Sequence, residues 1–416
     1  MLVFGKIMLV YYIAWNVFFN YSLNENQDRA ALEFTPACDS PDIYRKGCRI
    51  MKKIRLGVVG LGHRGRAMFR IAAQNFDSVE PVAMCDIEEK FWVERQTFPG
   101  NESASMKEDF PSAKFYTDYD TMLKEAGLDA ILVETPANKH ADFCMKGLEH
   151  NLAVLSDVPF AASVDEANRL WDAAKKSKGM FMAGANPNEM GFVEALVDLY
   201  RKGYLGKISY LEAEYIHDCR SLWEVTPWRA RGSVPIKYCT HSLGPLLRIL
   251  EEDLRTVSCH STGSWICPEN PAHNDLMTAT FSTESHVVFR LTTSFINNAH
   301  IGPHTYRVFG TEGYFERFSG RGKLAPVTFF SSNKLYGAKT LTELPIDTAR
   351  PEFGSKAGIG HGGADYALLN RFLQAIEGKC EPISLREGLR MTIPGIYAAE
   401  SAKRGGELLK IVYPWE

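Results

Sequence analysis

Apolar runs alternate with amphipathic stretches in the first half of the chain. Five short runs rich in β-branched and other apolar residues predict buried strands, at 53–59, 79–85, 130–133, 152–155 and 180–183. Stretches with helical length and spacing lie between them, including 66–74, 140–150 and 163–178. This alternation is typical of a doubly wound parallel sheet, so we expect an α/β fold.

The second half has a different pattern. Residues 208–218 alternate in a way that directs Tyr215 and His217 to the same face of a strand. The runs 273–282 and 286–296 are apolar and β-branched, which suits a broad sheet. Because 416 residues exceed what one hydrophobic core usually serves, we expect two domains, 51–183 and 184–416.

Residues 1–50 stand apart as an N-terminal extension. An apolar run at 7–19 follows a single Lys6 and is too short to span a bilayer comfortably. Two interpretations stay open: a signal peptide that exports the protein, or sequence upstream of a real start at Met51. We favour the second interpretation, which makes the location cytoplasmic.

Composition narrows the class of partner. Apolar residues make up 45% of the chain and charged residues 23%, with a net charge of −3, as in an ordinary globular protein. That balance disfavours nucleic acid as a partner. Because the apolar run at 7–19 is too short to span a bilayer, we expect no membrane partner and a small-molecule substrate. The nine cysteines include no Cys-x-x-Cys pair, and the histidines have no metal-ligand spacing, so we expect mostly reduced thiols and no metal.

The first predicted strand runs directly into a glycine-rich turn and then a helix. The turn has the Gly-x-Gly-x-x-Gly pattern of dinucleotide sites, in which the glycines permit a tight turn, approach of a diphosphate and close helix packing. We assign its residues to cofactor binding: Gly60, Gly62, His63, Arg64 and Gly65.

An acid follows at the distance expected for ribose recognition. Asp86 ends the second strand, 26 residues after Gly60. A carboxylate there accepts hydrogen bonds from both ribose hydroxyls and repels a 2′-phosphate, and Ile87 supplies no cation to offset that repulsion. NAD is therefore favoured over NADP.

Further cofactor contacts are expected where other strands end. Ligands of doubly wound sheets lie outside the carboxyl ends of the strands. The loops at those ends contribute Thr135, Pro136, Asn138, His140, Asp157, Val158 and Asn186.

These motifs together resemble the Gfo/Idh/MocA family of oxidoreductases. The likeness rests on the 60–65 turn, Asp86, Thr135-Pro136 with His140, and the turn at 157–159, and it extends from about Lys52 to Val412. It implies a Rossmann domain followed by an α/β domain whose large, mainly antiparallel sheet forms one wall of a sugar pocket. It also implies a homo-oligomer, a dimer or tetramer.

Two departures from the family pattern bear on mechanism. Most members carry Glu-Lys-Pro where this chain has Asp157-Val158-Pro159, so the usual proton-relay lysine is missing. In the second signature His241 keeps its place, but Lys237 stands where an aspartate is usual. With both departures, the chain resembles the NAD-dependent glycosidase branch, glycoside hydrolase family 109. That likeness implies transient oxidation of a ring hydroxyl, elimination of the leaving group, hydration and return of the hydride.

The second domain supplies the candidate catalytic groups. Tyr238 and His241 are expected to act as acid–base residues, with a helix beginning near residue 239. Lys237 either lowers the pKa of Tyr238 or replaces the missing lysine. For substrate binding we expect Tyr215, His217, Arg229, Trp228 and Tyr306, although half-buried sheet positions and a surface ion pair are alternatives for several of them.

Three functions stay open. The first is a glycosidase that borrows and returns a hydride on bound NAD. The second is a net NAD-dependent sugar or polyol dehydrogenase, and the third is a non-catalytic NAD-binding regulator. His361, in the glycine-rich segment 358–363, is expected in a loop that closes over the pocket or lies at a subunit contact.

Overall fold

A computed structural model describes most of the chain. The described ranges are 52–98, 101–223, 226–230, 234–270, 274–297, 299, 302–320, 324–335 and 340–416. The predicted N-terminal extension, residues 1–50, lies outside them.

The first half forms a six-stranded parallel sheet. Its strands are β1 (Ile54–Val59), β2 (Val79–Cys85), β5 (Lys114–Tyr116), β6 (Ala130–Val133), β7 (Ala153–Ser156) and β8 (Phe181–Ala183), in the order β5-β2-β1-β6-β7-β8. A small hairpin, β3 (Gln96–Phe98) with β4 (Asn101–Ser103), lies outside this sheet. The order reverses beside β1, and in doubly wound sheets that reversal marks the ligand crevice.

Helices connect the parallel strands. They are α1 (His63–Asn75), α2 (Lys90–Val93), α3 (Met106–Asp109), α4 (Tyr119–Glu125), α5 (His140–Glu149) and α6 (Val164–Lys176). Side-chain caps fix several of their starts; Asp118 accepts from the amide of Thr121, and Ser163 accepts from the amide of Glu166. Strand β6 is buried along its whole length because helices cover both faces.

The second half forms a nine-stranded, mainly antiparallel sheet. Its strands are β9 (Ile208–Ile216), β10 (Thr256–Ser261), β11 (Met277–Ser282), β12 (Val288–Ser294), β13 (His304–Gly310), β14 (Gly313–Phe318), β15 (Val327–Ser332), β16 (Thr342–Leu344) and β17 (Leu409–Lys410). The order is β16-β15-β14-β13-β9-β12-β11-β10-β17, and only the β9–β12 pairing is parallel. Strand β9 therefore lies at the centre.

The remaining helices bring side chains to the sheet from distant parts of the sequence. They are α7 (Gly191–Arg201), α8 (Pro227–Ala230), α9 (Thr240–Leu247), α10 (Ala364–Ile376) and α11 (Leu385–Lys403). Helix α11 begins with a capping box between Ser384 and Glu387. Its buried residues include Leu389, Ile393 and Ala398, which contribute to the hydrophobic core.

The predicted fold class is confirmed. Five of the six parallel strands lie where the apolar runs indicate, with ends shifted by one residue at β1, β7 and β8, whereas β5 was not predicted. The helix predicted from about residue 239 begins at Thr240. The strand predicted at 208–218 ends at Ile216, so His217 lies just beyond it. The division into two domains at residue 183 stays a prediction.

Candidate active site

The glycine-rich turn brings β1, α1 and β6 into contact. Gly60 has a φ of +91°, and a Cβ there would lie 2.6 Å from the backbone of Glu134. A Cβ at Gly65 would lie 1.9 Å from the carbonyl oxygen of Gly60. Any side chain at either position would separate the turn from the helix or from β6.

Gly62 leaves the helix start open. A Cβ on Gly62 would meet no atom within 4 Å. Helix α1 has no side-chain cap and no acidic residue in its first turn. Amide groups at such a helix start favour an anion, so this turn fits the diphosphate of a dinucleotide.

Asp86 lies at the end of β2 beside the same turn. Its Oδ2 accepts a hydrogen bond from the amide of Leu61 at 2.6 Å, and its Oδ1 accepts one from the amide of Glu88 at 3.0 Å. These bonds hold the carboxylate in one orientation next to the turn, and the neighbouring Ile87 is exposed. This arrangement fits a ribose diol.

His140 fastens two of the strand-end loops. The ring is buried, with Nδ1 2.8 Å from the carbonyl oxygen of Pro159 and Nε2 2.7 Å from that of Thr135. The peptide bond between Val158 and Pro159 is cis. Because both ring nitrogens already contact backbone, His140 as placed positions these loops and offers no polar atom to a cofactor.

Two neighbouring cavities lie at this end of the parallel sheet. The histidine cavity has a volume of about 330 Å³ and is lined by His63, Arg64, Asp157, Asn186, Met190, Tyr215, His217, Cys219, Leu222, Trp223, Arg229, Tyr238, His241, Phe295, Pro303, His304 and His361. The loop cavity has a volume of about 480 Å³ and is lined by Ala137, Asn138, Val158, Pro159, Ala161, Ala162, Trp228, Arg229, Val234, Lys237, Tyr238 and Phe295. Three residues are common to both: Arg229, Tyr238 and Phe295.

Tyr238 and His241 form a hydrogen-bonded pair in the histidine cavity. The Tyr238 hydroxyl lies 3.1 Å from Nε2 of His241. Tyr238 ends a short 3₁₀ turn and His241 lies in the first turn of α9, and a separation of three residues puts both on one side. Burial raises the pKa of Tyr238 and, with the nearby His304, lowers that of His241 well below its ordinary value. Both groups are therefore neutral near pH 7.

The end of β9 forms the adjoining wall. The Tyr215 hydroxyl lies 3.3 Å from Nδ1 of His217, which is also 3.3 Å from the sulfur of Cys219. His304, on β13, lies opposite Tyr215 in the strand register, and the two rings are 5.1 Å apart. The expectation that Tyr215 and His217 share a direction is thus confirmed.

Three other predicted residues lie differently. The Tyr306 hydroxyl donates to the carbonyl oxygen of His241 at 2.6 Å, and its side chain is buried and lines neither cavity. Lys237 donates to the carbonyl oxygen of Ala162 at 3.0 Å and lines the loop cavity, with a pKa lowered by burial. Trp228 also faces the loop cavity, with the Arg229 guanidinium 4.5 Å from its ring centre. Tyr306 as placed positions the backbone at His241.

Arg64 connects the glycine-rich turn to the C-terminal half. Its Nη1 lies 2.7 Å from Oδ2 of Asp365, and its Nε lies 3.9 Å from Oδ1 of Asp157. The amide of Asn186 donates to Oδ1 of Asp365 at 2.9 Å. Arg64 and Asn186, both assigned to the cofactor from sequence, therefore also form part of the histidine cavity.

Sequence reasoning missed two acids near Arg64. Asp365 is buried, and although burial opposes its ionisation, Arg64 and His361 hold its pKa well below the ordinary value. Burial raises the pKa of Glu134 well above its usual range, and one of its oxygens has no hydrogen-bond partner among the described residues. Glu134 could have been found from its position directly before Thr135-Pro136, whereas no spacing in the sequence indicated Asp365.

Two sequence profiles of one family match the chain. The profile described as an oxidoreductase family with an NAD-binding Rossmann fold matches residues 54–185, and the Gfo/Idh/MocA C-terminal domain matches residues 193–316. The chain belongs to the Gfo/Idh/MocA family. It is therefore an enzyme of an NAD-binding oxidoreductase family, and its cofactor is NAD.

Individual relatives are more distant. A glycosyl hydrolase family 109 protein of Shewanella pealeana is 23% identical over 390 residues, covering 84% of this chain and 83% of the relative. An α-N-acetylgalactosaminidase of Bacteroides fragilis is 28% identical over 211 residues, covering 47% of this chain and 48% of the relative. An inositol dehydrogenase homologue of Azotobacter vinelandii, solved with NADH and myo-inositol, has a TM-score of 0.69 at 20% identity, covering 86% of this chain and 98% of that structure. That last likeness shows the fold.

The Gfo/Idh/MocA signatures can now be placed in the fold. The lysine usual in the second position of the 157–159 turn is replaced by Val158, which is buried at the edge of the loop cavity. Lys237 lines that same cavity. Within the described ranges, no three side chains of metal-ligating type converge, and no helix there is long and apolar enough to cross a bilayer.

Proposed function

We propose that this enzyme cleaves a glycoside by oxidising a ring hydroxyl on bound NAD and later reducing the same carbon again. The observation that carries the proposal is the Tyr238–His241 pair, 3.1 Å apart in a cavity that also includes the NAD-turn residues His63 and Arg64. The family 109 relatives point to the same chemistry.

The turn and strand ends provide the NAD contacts in this proposal. Gly62 and the start of α1 take the diphosphate, and Asp86 takes the adenosine ribose. When bound, NAD supplies the acceptor for the hydrogen and two electrons that leave a ring carbon, and it returns them at the end. The nicotinamide side is assigned to Asp157 and Asn186, which line the histidine cavity, and to Val158, which lines the loop cavity.

Tyr238 and His241 move the hydroxyl proton. The substrate hydroxyl gives its proton to the Tyr238 oxygen while the phenol proton passes to Nε2 of His241. The lowered pKa of His241 leaves that nitrogen free to accept and makes it release the proton readily on return. Tyr306 keeps α9 in place by its bond to the backbone of His241.

Rings and cations line the rest of the site. Tyr215 and Phe295 provide apolar faces on which a sugar ring can rest, with their centres 6.0 Å apart. His217 and Arg229 supply polar contacts to hydroxyl or acyl groups. Lys237, in the loop cavity beside Val158, is the candidate replacement for the missing lysine, and a homo-oligomer stays part of the proposal.

Product analysis distinguishes the three open functions. We expect purified protein to release nitrophenol from a member of a nitrophenyl glycoside panel, with no net gain in nicotinamide absorbance. Stoichiometric formation of reduced nicotinamide from a free sugar or polyol would replace the proposal by a net dehydrogenase. NAD binding with neither reaction would leave a non-catalytic regulator.

A further inference from the structure

Glu134 lies directly against the glycine-rich turn, at the end of a central strand. It is the first residue after β6, and its amide donates to the carbonyl oxygen of Val59 on β1 at 2.9 Å. Its backbone lies 2.6 Å from the place that a Cβ at Gly60 would take, and its own Cβ lies 3.1 Å from the place of one at Gly65. The side chain of Glu134 therefore begins beside the backbone proposed to receive the diphosphate.

The carboxyl group of Glu134 is enclosed and lacks hydrogen bonds. The residue is 8% exposed, and its Oε2 is buried with no hydrogen-bond partner among the described residues. The hydroxyl oxygen of Thr135, the next residue, is also buried with no partner in the described part of the chain. Because a buried polar atom without a partner costs free energy, two adjacent ones indicate a ligand that supplies the missing bonds.

The surroundings of Glu134 disfavour a negative charge. Burial is the main cause that raises its pKa well above the usual range, and the nearby Asp157 and Asp365 raise it further. Arg64 lowers the pKa, but its guanidinium already lies 3.9 Å from the Asp157 carboxylate and 2.7 Å from that of Asp365. Because one guanidinium cannot neutralise three carboxylates, Glu134 keeps its proton near pH 7.

A protonated carboxyl group can form bonds that a carboxylate cannot. It has one O–H donor, whereas an ionised carboxylate only accepts. The turn beside Glu134 fits a diphosphate, whose oxygens are negatively charged acceptors, and the ribose attached to the diphosphate adds hydroxyl oxygens. A carboxylate at this position would repel the diphosphate, while a carboxylic acid can donate to it.

We propose that Glu134 is a cofactor-binding residue that keeps its proton and donates a hydrogen bond to an oxygen of bound NAD. The acceptor is an oxygen of the diphosphate or of the nicotinamide ribose. This role rests on NAD as the cofactor and not on the glycoside reaction. It therefore applies equally to a glycosidase, a net dehydrogenase and a non-catalytic NAD-binding regulator.

Two substitutions of similar size separate a hydrogen bond from packing. Glu134→Gln keeps a donor and cannot ionise, whereas Glu134→Met removes the donor. At pH 7 we expect Glu134→Gln to bind NAD within about threefold of the unmodified protein, and Glu134→Met to bind it about tenfold or more weakly, as for the loss of one hydrogen bond. Fluorescence titration measures these affinities. Thermal unfolding should show no loss of stability in Glu134→Met, because an apolar group replaces an oxygen that lacks a partner.

Truncated nucleotides identify the acceptor. ADP carries the diphosphate without the second ribose, and ADP-ribose carries both. If the acceptor is a diphosphate oxygen, Glu134→Met should weaken the binding of ADP, ADP-ribose and NAD alike. If the acceptor belongs to the second ribose, the binding of ADP should be unchanged. The matched control is Glu149→Met at the exposed end of α5, which should leave all three affinities unchanged.

Infrared spectroscopy detects the proton itself. At pH 7 the unmodified protein should show the C=O band of a protonated carboxyl group that shifts when NAD binds and is missing in Glu134→Gln. The role is wrong if that band is absent, or if Glu134→Met binds all three nucleotides as tightly as the unmodified protein. It is also wrong if Glu134→Gln loses as much NAD affinity as Glu134→Met, or if Glu134→Met loses stability together with affinity. Failure to cleave any glycoside would overturn the proposed function and leave these binding results as they are.

Discussion

The glycine-rich turn at 60–65 and the histidine cavity are built in different ways. The turn depends on the backbone, because a side chain at Gly60 or Gly65 would collide with backbone atoms of the protein itself. The cavity depends on side chains, with Tyr215 from β9, Tyr238 from a 3₁₀ turn and His304 from β13. A site made by the backbone can be recognised from residues that are adjacent in the sequence. A side-chain site is assembled by the pairing of strands that are far apart in sequence.

The largest expected effect tests the glycine-rich turn. Gly65→Ala would place a methyl group 1.9 Å from the Gly60 carbonyl oxygen, so we expect a loss of about 3 kcal/mol or more in unfolding free energy, with NAD binding and turnover abolished. Urea unfolding and NAD titration measure both. Gly62→Ala is the control, because a Cβ there meets no protein atom; it should keep stability and lose only NAD affinity.

The second-largest expected effect tests the histidine cavity. Tyr238→Phe removes the hydroxyl bonded to His241, and we expect kcat to fall about a thousandfold while NAD affinity stays within about twofold. His241→Ala should behave in the same way. Steady-state kinetics and NAD titration on each variant provide the check. Full activity in either variant would show that the chemistry takes place elsewhere.

A smaller effect comes from the enclosed histidines. Burial lowers the pKa of His304 to about 3, while the unfolded chain takes up the same proton near pH 6.5. Between those values the unfolded state binds more protons, so stability is lost as pH falls. From pH 6.5 to 5 the loss is about 2 kcal/mol for this residue. Urea unfolding at both pH values should show a shallower dependence in His304→Gln, and an unchanged slope would contradict the assignment.

The smallest effect concerns coenzyme choice. Asp86→Ala removes the charge expected to repel a 2′-phosphate, so the ratio of NAD to NADP affinity should fall about tenfold, or 1.4 kcal/mol. Titration with both coenzymes measures the ratio. Glu88→Ala, two residues away and exposed, should leave it unchanged.

Sequence reasoning was most successful where periodicity carries the information. Apolar runs located five of the six parallel strands, and the helix expected from about residue 239 begins at Thr240. It did not find that His304 lies opposite Tyr215, because that depends on the register of β13 against β9. Asp365 is 179 residues from Asn186, its hydrogen-bond partner, and nothing in local spacing connects them.

The side chain of Arg64 has a consequence for how binding at the two regions is coupled. Arg64 belongs to the turn proposed to receive the coenzyme, and its guanidinium contacts the Asp365 carboxylate, which also contacts His361. A ligand that immobilises the glycine-rich turn is therefore also expected to restrain His361 at the edge of the histidine cavity. If binding of the nucleotide raises the affinity for a ligand at that edge, thermodynamic reciprocity requires that ligand to raise the affinity for the nucleotide by the same factor.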